Sequence, residues 1–231
     1  MSPTYSTTRA KERHALIRPL FDTKVGLAVT APQDILPAPF PEELACLSSN
    51  AVPKRRAEFA AGRAAAHQAM RDLGITAQPI PVAPSRAPQW PTGVVGSISH
   101  TKTCAMAVVA PATEWSGIGV DVEEDTPLKR DLWPAICLDT EQDWLLQQDN
   151  PGQLAKVIFS AKEAAYKCQY LVSEAFFGFD GMRVEIKLSD TSFVANFTQD
   201  RAPFQKGDQI SGRFAIGAGV IVTMAELRTS K

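Results

Sequence analysis

Five residues in this 231-residue chain have types and spacings suited to ionic chemistry. Asp121 and Glu123 stand two apart in Gly119-Val120-Asp121-Val122-Glu123, a run that alternates like a strand. Both carboxylates then leave one face, about 7 Å apart, while the valines leave the other. Such a pair suits a hard cation when a third oxygen comes from elsewhere in the fold; otherwise it is the polar edge of a half-buried strand. Lys162, Glu163 and Lys167 sit in Phe159-Ser160-Ala161-Lys162-Glu163-Ala164-Ala165-Tyr166-Lys167, which reads as helix. On spacing alone, Glu163 and Lys167 make an exposed i,i+4 pair worth about 0.3–0.5 kcal/mol. Phe159, Ala164 and Tyr166 flank them with apolar bulk, however. Under such cover a carboxylate could hold a metal or take a proton while the lysines hold phosphate.

A weaker cluster is Gly96-Ser97-Ile98-Ser99-His100, with two hydroxyls on one strand face and an imidazole at its exit. It is either a surface histidine closing a strand or a corner that takes phosphate oxygens. Arg55 and Arg63 lie about 12 Å apart along a helix axis. They read as solvent-reaching side chains unless His100 and Arg86 converge on the same place.

The elements that must position these residues can be read from the same chain. Residues 1–20 read as a loose lead-in and 24–30 as a strand, after which Pro32, Pro37, Pro39 and Pro41 forbid regular structure up to Glu42. Pro53, seven alanines and Gly74 predict a helix over 53–73. Five prolines make 75–93 an extended loop. Strands follow over 94–100, 103–110 and 117–123, then a helical region over 127–147 broken near 137–139. Asn150 and Pro151 read as N-cap and first turn of the clearest helix, whose core face is Leu154, Val157, Ile158, Ala161, Ala165 and Cys168. Strands are predicted over 182–188, 192–197 and 213–225, with Lys206-Gly207-Asp208 as a loop. The order suggests an α+β fold of two halves, 1–113 and 114–231.

Composition narrows the function. With 45% hydrophobic and 21% charged residues, the chain can build a core without staples. Lys+Arg 24 against Asp+Glu 25 leaves a net charge of −1, without the basic excess of a nucleic-acid coat. Cys46, Cys104, Cys137 and Cys168 form no C-x-x-C pair and read as reduced, buried or half-buried thiols. No apolar signal core opens the chain, and its best apolar run, 103–113, is far short of the ~20 residues of a membrane span. A soluble cytoplasmic protein is expected. P-loop, dinucleotide-binding, G-x-S-x-G and H-E-x-x-H signatures are all absent.

In their order, R-x-x-E-F-x-x-G-R (55–63), R-A-P-Q-W-P-x-G (86–93), G-S-I-S-H (96–100), G-V-D-V-E (119–123) and F-S-A-K-E-A-x-x-K (159–167) resemble the 4′-phosphopantetheinyl transferases. The nearest type is the enterobactin synthase component D-like group. The resemblance spans about residues 53–180. Phe159 stands where many relatives carry tryptophan, a departure that leaves the chemistry alone. The resemblance implies two pseudo-symmetric α/β halves with coenzyme A in the cleft between them. It implies transfer of phosphopantetheine to a serine of an apo acyl or peptidyl carrier protein, releasing adenosine 3′,5′-bisphosphate. By motif position, Asp121, Glu123 and Glu163 would hold Mg²⁺ (or Mn²⁺) against the pyrophosphate, and Glu163 would also serve as base, directly or through water. Lys167 would contact the pyrophosphate and Lys162 would be a second phosphate contact. Ser99, His100, Arg55 and Arg63 would hold the 3′-phosphate side, with Arg86, Ala87 and Pro88 along the adenine. Residues 124–146, with Lys129 and Arg130, would dock an acidic carrier helix, and the enzyme would be a monomer. Two other readings stay open on the residues alone: a metal-dependent hydrolase of coenzyme A pyrophosphate, and a non-catalytic module binding coenzyme A or the carrier.

Overall fold

The computed structural model describes residues 8–229. Packing divides the chain at Trp115–Ser116, inside a strand, whereas the sequence reading sets the division at 113/114. In the first unit, helix α1 (Thr8–Ile17) precedes strand β1 (Gly26–Thr30) and the one-turn helix α2 (Pro41–Leu44). Long helix α3 (Pro53–Asp72) and strands β2 (Val94–His100) and β3 (Ala105–Pro111) complete it. The expected lead-in over 1–20 is therefore corrected. Ala10, Arg13 and Ile17 are buried on α1, which its sparse apolar residues hid, and the lead-in's first seven residues lie outside the described ones.

The three strands form an antiparallel sheet in the order β1-β3-β2, with Ala28 opposite Ala107 and Ser99 opposite Met106. Alanines 65, 66 and 69 of α3 pack on it with Met70, Ile80 and Val109, small residues that let the helix lie close. Gly26 marks the closest approach, because a Cβ there would strike the carbonyl oxygen of Ala69. Residues 75–93 stay irregular apart from a bridge between Val82 and Pro88.

The second unit begins with β4 (Trp115–Glu124). The short helices α4 (Trp133–Ile136) and α5 (Asp139–Leu145) follow, broken at Cys137–Leu138 as the sequence suggests. Helix α6 (Pro151–Ser173) is 23 residues long. Its six anticipated core residues, Leu154 through Cys168, are all buried in one cluster. Asn150 precedes it, but its side chain makes no cap; its backbone oxygen accepts from Leu154 N–H instead. The predicted strand over 213–225 is in fact a hairpin. Strands β7 (Gln209–Gly217) and β8 (Val220–Arg228) are joined by a turn at Ala218-Gly219, where φ is +48° and +74°. Apolar residues on both sides of Gly217-Ala218-Gly219 concealed that turn. With β5 (Met182–Lys187) and β6 (Ser192–Phe197), the sheet order is β4-β8-β7-β6-β5.

Each unit is thus a long helix on an antiparallel sheet, and each carries the same buried brace. A glutamate at the third position of a short helix accepts the N–H of the residue before that helix. In the first unit Glu43 Oε2 takes Phe40 N–H at 2.8 Å; in the second Glu141 Oε2 takes Leu138 N–H at 2.6 Å. The other oxygen takes a distant backbone N–H: Ile80 at 2.9 Å and Val184 at 2.6 Å. A base from the long helix completes each set, His67 from α3 and Lys162 from α6. Cys104, Cys137 and Cys168 are buried, but Cys46 is exposed, against the expectation for four covered thiols.

Candidate functional site

The acidic and basic residues of the second unit meet along one seam between β4 and α6. The odd-numbered residues of β4 share a face, and that face meets α6 in a matched register. Gly117 lies against Cys168 and Gly119 against Ala164, both without room for a Cβ. Asp121 meets Ser160 and Glu123 meets Lys156. Two strand residues advance about 6.8 Å while four helix residues advance about 6 Å, so every second strand position meets every fourth helix position. On α6, Lys156, Ser160, Glu163 and Lys167 fall within about 60° of one another around the axis, one stripe facing the strand carboxylates.

Asp121 is 4% exposed and fully engaged. Lys167 Nζ donates to its Oδ1 at 2.7 Å and to Val120 O at 3.1 Å. Ser160 Oγ donates to its Oδ2 at 2.9 Å and lies 2.9 Å from Thr223 Oγ1 of β8, which donates to the backbone oxygen of Ser160 at 2.8 Å. Lys156 Nζ holds Glu123 Oε2 at 3.2 Å. Burial pushes the Glu123 carboxyl above its ordinary value and the Asp121 charge adds to the rise, while Lys156 and Lys167 oppose it. Burial likewise raises Glu163; Lys167 opposes the rise and Asp121 adds to it. Glu163 makes no hydrogen bond among the described residues and lines a cavity of about 220 Å³ with Tyr166, Phe177, Phe179 and Met182.

These facts test whether the residues suit a divalent cation. The donors are hard oxygens, and Asp121 raises both glutamates, an excess of negative charge that a cation would relieve. Among the described residues no three such side chains converge closely enough to hold an ion alone. The lysines hold Asp121 and Glu123 in its place. The set therefore fits an ion that takes a few carboxylates and fills its shell with water and substrate oxygens, the habit of magnesium.

Lys162 is not placed as expected. Its ammonium is buried and donates to Glu141 Oε2 at 2.7 Å, Ile136 O at 2.8 Å and Phe179 O at 2.9 Å. All three donors are spent inside the protein, leaving none for a phosphate. Lying about 120° round the helix from the Lys156–Lys167 stripe, it braces α5 and the Phe179 turn.

In the first unit, α3 and the end of β2 bring cations together. Arg55 donates to His100 Nε2 at 3.1 Å, leaving His100 Nδ1 3.9 Å from Glu58. Arg55 and Arg63 both face the Phe59 ring, at 6.0 and 4.5 Å from its centroid. Arg63 is buried, its Nε 3.7 Å from Glu43 and without a hydrogen bond. That Nε–H is a buried donor without an acceptor, although the Glu43 carboxylate already offsets the charge of the guanidinium. Ser99 is buried on β2. Arg86 stands apart: it is exposed, with φ +70°, in a turn where Ala83 N–H reaches Ala87 O, and its guanidinium makes no hydrogen bond among the described residues. Ala87 and Pro88 are half-buried in that turn.

Sequence reasoning missed Lys156, Thr223, Glu43 and Glu141. Lys156 had a signal, since it lies seven residues before Glu163 on the same stripe; the others depend on tertiary packing. Glu43 permits a prediction. Burial pushes its carboxyl up, but hydrogen bonds from His67, Ile80 N–H and Phe40 N–H outweigh burial and hold it below its ordinary value of 4.5. A carboxyl lowered in the folded state stabilises the protein above the unfolded value, and that stability is lost as pH falls through the folded value. In thermal unfolding from about pH 7 to about pH 3, the wild type is expected to lose its advantage over Glu43→Gln. An advantage constant across that range would contradict the assignment.

Comparison with known proteins follows the same division. The N-terminal domain of 4′-phosphopantetheinyl transferases matches residues 40–110, and the 4′-phosphopantetheinyl transferase superfamily matches residues 117–218. The chain is 35% identical over 201 residues to the 4′-phosphopantetheinyl transferase Svp of Streptomyces mobaraensis, covering 84% of this chain and 80% of the relative. It is 30% identical over 202 residues to Npt of Nocardia iowensis, covering 83% and 90%. Enterobactin synthase component D of Escherichia coli (strain K12) is 38% identical over 127 residues, covering 54% and 59%.

Proposed function

The chain belongs to the 4′-phosphopantetheinyl transferase superfamily and transfers phosphopantetheine to carrier proteins, and we propose which of its residues do so and how. Coenzyme A is the donor substrate and a divalent metal, Mg²⁺ or Mn²⁺, the cofactor. Asp121, Glu123 and Glu163 would hold the metal, which when bound would supply positive charge against the pyrophosphate. Glu163 accepts the proton of the carrier serine, directly or through one water, as its oxygen attacks the phosphorus bearing pantetheine. The bond to the adenosine phosphate breaks and adenosine 3′,5′-bisphosphate leaves. Lys167 steadies charge on the pyrophosphate. Arg55, Arg63, Ser99 and His100 hold the 3′-phosphate, and the Arg86–Pro88 turn lies along the adenine. The first unit thus serves the nucleotide and the second the metal and proton transfer.

One observation carries this reading: the β4–α6 register, which sets three carboxylates and Lys167 on a single seam. The proposed enzyme is a cytoplasmic monomer; no described helix is long and apolar enough to cross a membrane. Lys129 and Arg130 are exposed beside α4 and would meet the carrier's acidic helix.

Intact-protein mass spectrometry tests the proposal. Apo acyl and peptidyl carriers incubated with the enzyme, coenzyme A and Mg²⁺ should each gain one phosphopantetheine on serine, with the gain abolished by EDTA. Bisphosphate release without carrier modification would instead mark a hydrolase. In the same assay, reversing the charge of Lys129 and Arg130 together is expected to raise the carrier KM about tenfold and leave the coenzyme A KM unchanged. An unchanged carrier KM would remove them from the docking surface.

A further inference from the structure

The two strand carboxylates are held by unequal lysines. Lys167 is anchored twice, on Asp121 Oδ1 and Val120 O. Lys156 has a single hydrogen bond among the described residues, to Glu123 Oε2 at 3.2 Å, and its Nζ lies 5.8 Å from the Phe159 ring centroid. The register leaves Lys156 opposite Glu123, whose side chain is 26% exposed against 6% for Asp121. Asp121 has both oxygens engaged and Glu163 is unbonded among the described residues. Glu123 is therefore the strand carboxylate whose release costs one hydrogen bond.

A divalent cation and an ammonium cannot share one carboxylate oxygen without strong repulsion in so covered a place. Lys156 has a flexible four-carbon stem and a point charge suited to phosphate oxygens. We propose that Lys156 is the exchangeable counter-ion of Glu123. It holds the carboxylate in place before substrates arrive, yields it when a divalent cation binds, and passes its ammonium to the pyrophosphate of coenzyme A. Exchange couples the two ligands. The cation frees Lys156 for the pyrophosphate, and the pyrophosphate keeps Lys156 away from Glu123, so each tightens the other by the same factor. The inference rests on Asp121, Glu123 and Glu163 being the metal ligands.

Mn²⁺ titration followed by electron paramagnetic resonance, on the full chain with and without saturating coenzyme A and no carrier present, reads the coupling directly. Wild type should bind Mn²⁺ at least tenfold more tightly with coenzyme A than without it, within the usual range of coupling factors. Lys156→Met, whose side chain keeps the apolar stem, should bind Mn²⁺ about tenfold more tightly than wild type in the absence of coenzyme A, and its coupling factor should fall at least about threefold below that of wild type, the remainder coming from direct contact of the ion with pyrophosphate oxygens. Lys156→Arg, which keeps the charge, should stay within about threefold of wild type without coenzyme A. Unchanged or weaker Mn²⁺ binding by Lys156→Met would overturn the exchange, as would tightening by an equal factor in both titrations. If wild type binds no Mn²⁺ up to millimolar concentrations, the ligand assignment itself fails and the inference with it. Thermal unfolding of each variant shows whether it is folded during the titration.

Discussion

Replacing Glu163 by glutamine is expected to lower kcat for carrier modification by about a thousandfold while the unfolding temperature stays within a few degrees. The change keeps the shape and removes the charge. Among the described residues the carboxylate makes no hydrogen bond that glutamine would break, so the fold has little at stake. Catalysis has much at stake, because the lost charge serves twice, as a metal ligand and as the acceptor of the serine proton. Burial already raises this carboxyl, and the neighbouring Asp121 charge adds to the rise, which makes it a better base than an exposed glutamate. Single-turnover conversion of apo to holo carrier, measured at saturating coenzyme A and metal, provides the check. A loss below tenfold would take Glu163 out of proton transfer.

Lys162→Met, one residue away, should do the reverse and cost stability first. Removing one partner from a buried ion pair costs about 3–5 kcal/mol. In a chain this long, that corresponds to a fall of roughly 10 °C in the unfolding midpoint. The loss would be spread across the fold. Glu141 keeps its bonds to Leu138 and Val184 N–H but faces an empty position, while the carbonyls of Ile136 and Phe179 lose their donor. A lysine serving a phosphate would behave otherwise, with a raised KM for coenzyme A and an unchanged midpoint. Glu141→Gln should destabilise in the same direction, and Lys162→Met combined with Glu141→Gln should lose clearly less than the sum of the two single variants, since the two residues act on one interaction. Calorimetry of the four proteins decides it. Additive losses would show that the pair is not a unit.

The long elements were legible because each announces itself locally. Pro53 and Gly74 bracket α3, and Pro151 with a helical apolar period marks α6. Asp121 and Glu123 were placed on one face by alternation alone. What alternation could not supply was the partner of that face. Nothing local pairs Gly119 with Ala164 or Asp121 with Ser160 across some forty residues, and without that pairing Lys156 was merely a helix surface cation. Lys162 was misread for a related reason. A helix stripe shows which residues share a side, but the depth of burial at 162 is set by Glu141, whose own signal was the start of a short helix. The hairpin over 209–228 escaped because apolar residues run on both sides of Gly217-Ala218-Gly219, and the left-handed conformation falls on Ala218 as well as on Gly219.

The β4–α6 register has a consequence for how such a chain can change over time. Point substitutions along the seam can be absorbed one contact at a time, but insertions and deletions cannot. One added residue between Lys156 and Cys168 would swing everything beyond it by about 100° around the helix and slide it by about 1.5 Å, parting Lys167 from Asp121 and turning Glu163 away from its cavity. One added residue between Gly117 and Glu123 would flip the carboxylates to the opposite face of the sheet. The seven-residue strand segment and the thirteen-residue helix segment are therefore length-locked against each other. Changes of length in this unit are expected to gather in the connections before α6 and after Ser173, where no register depends on them.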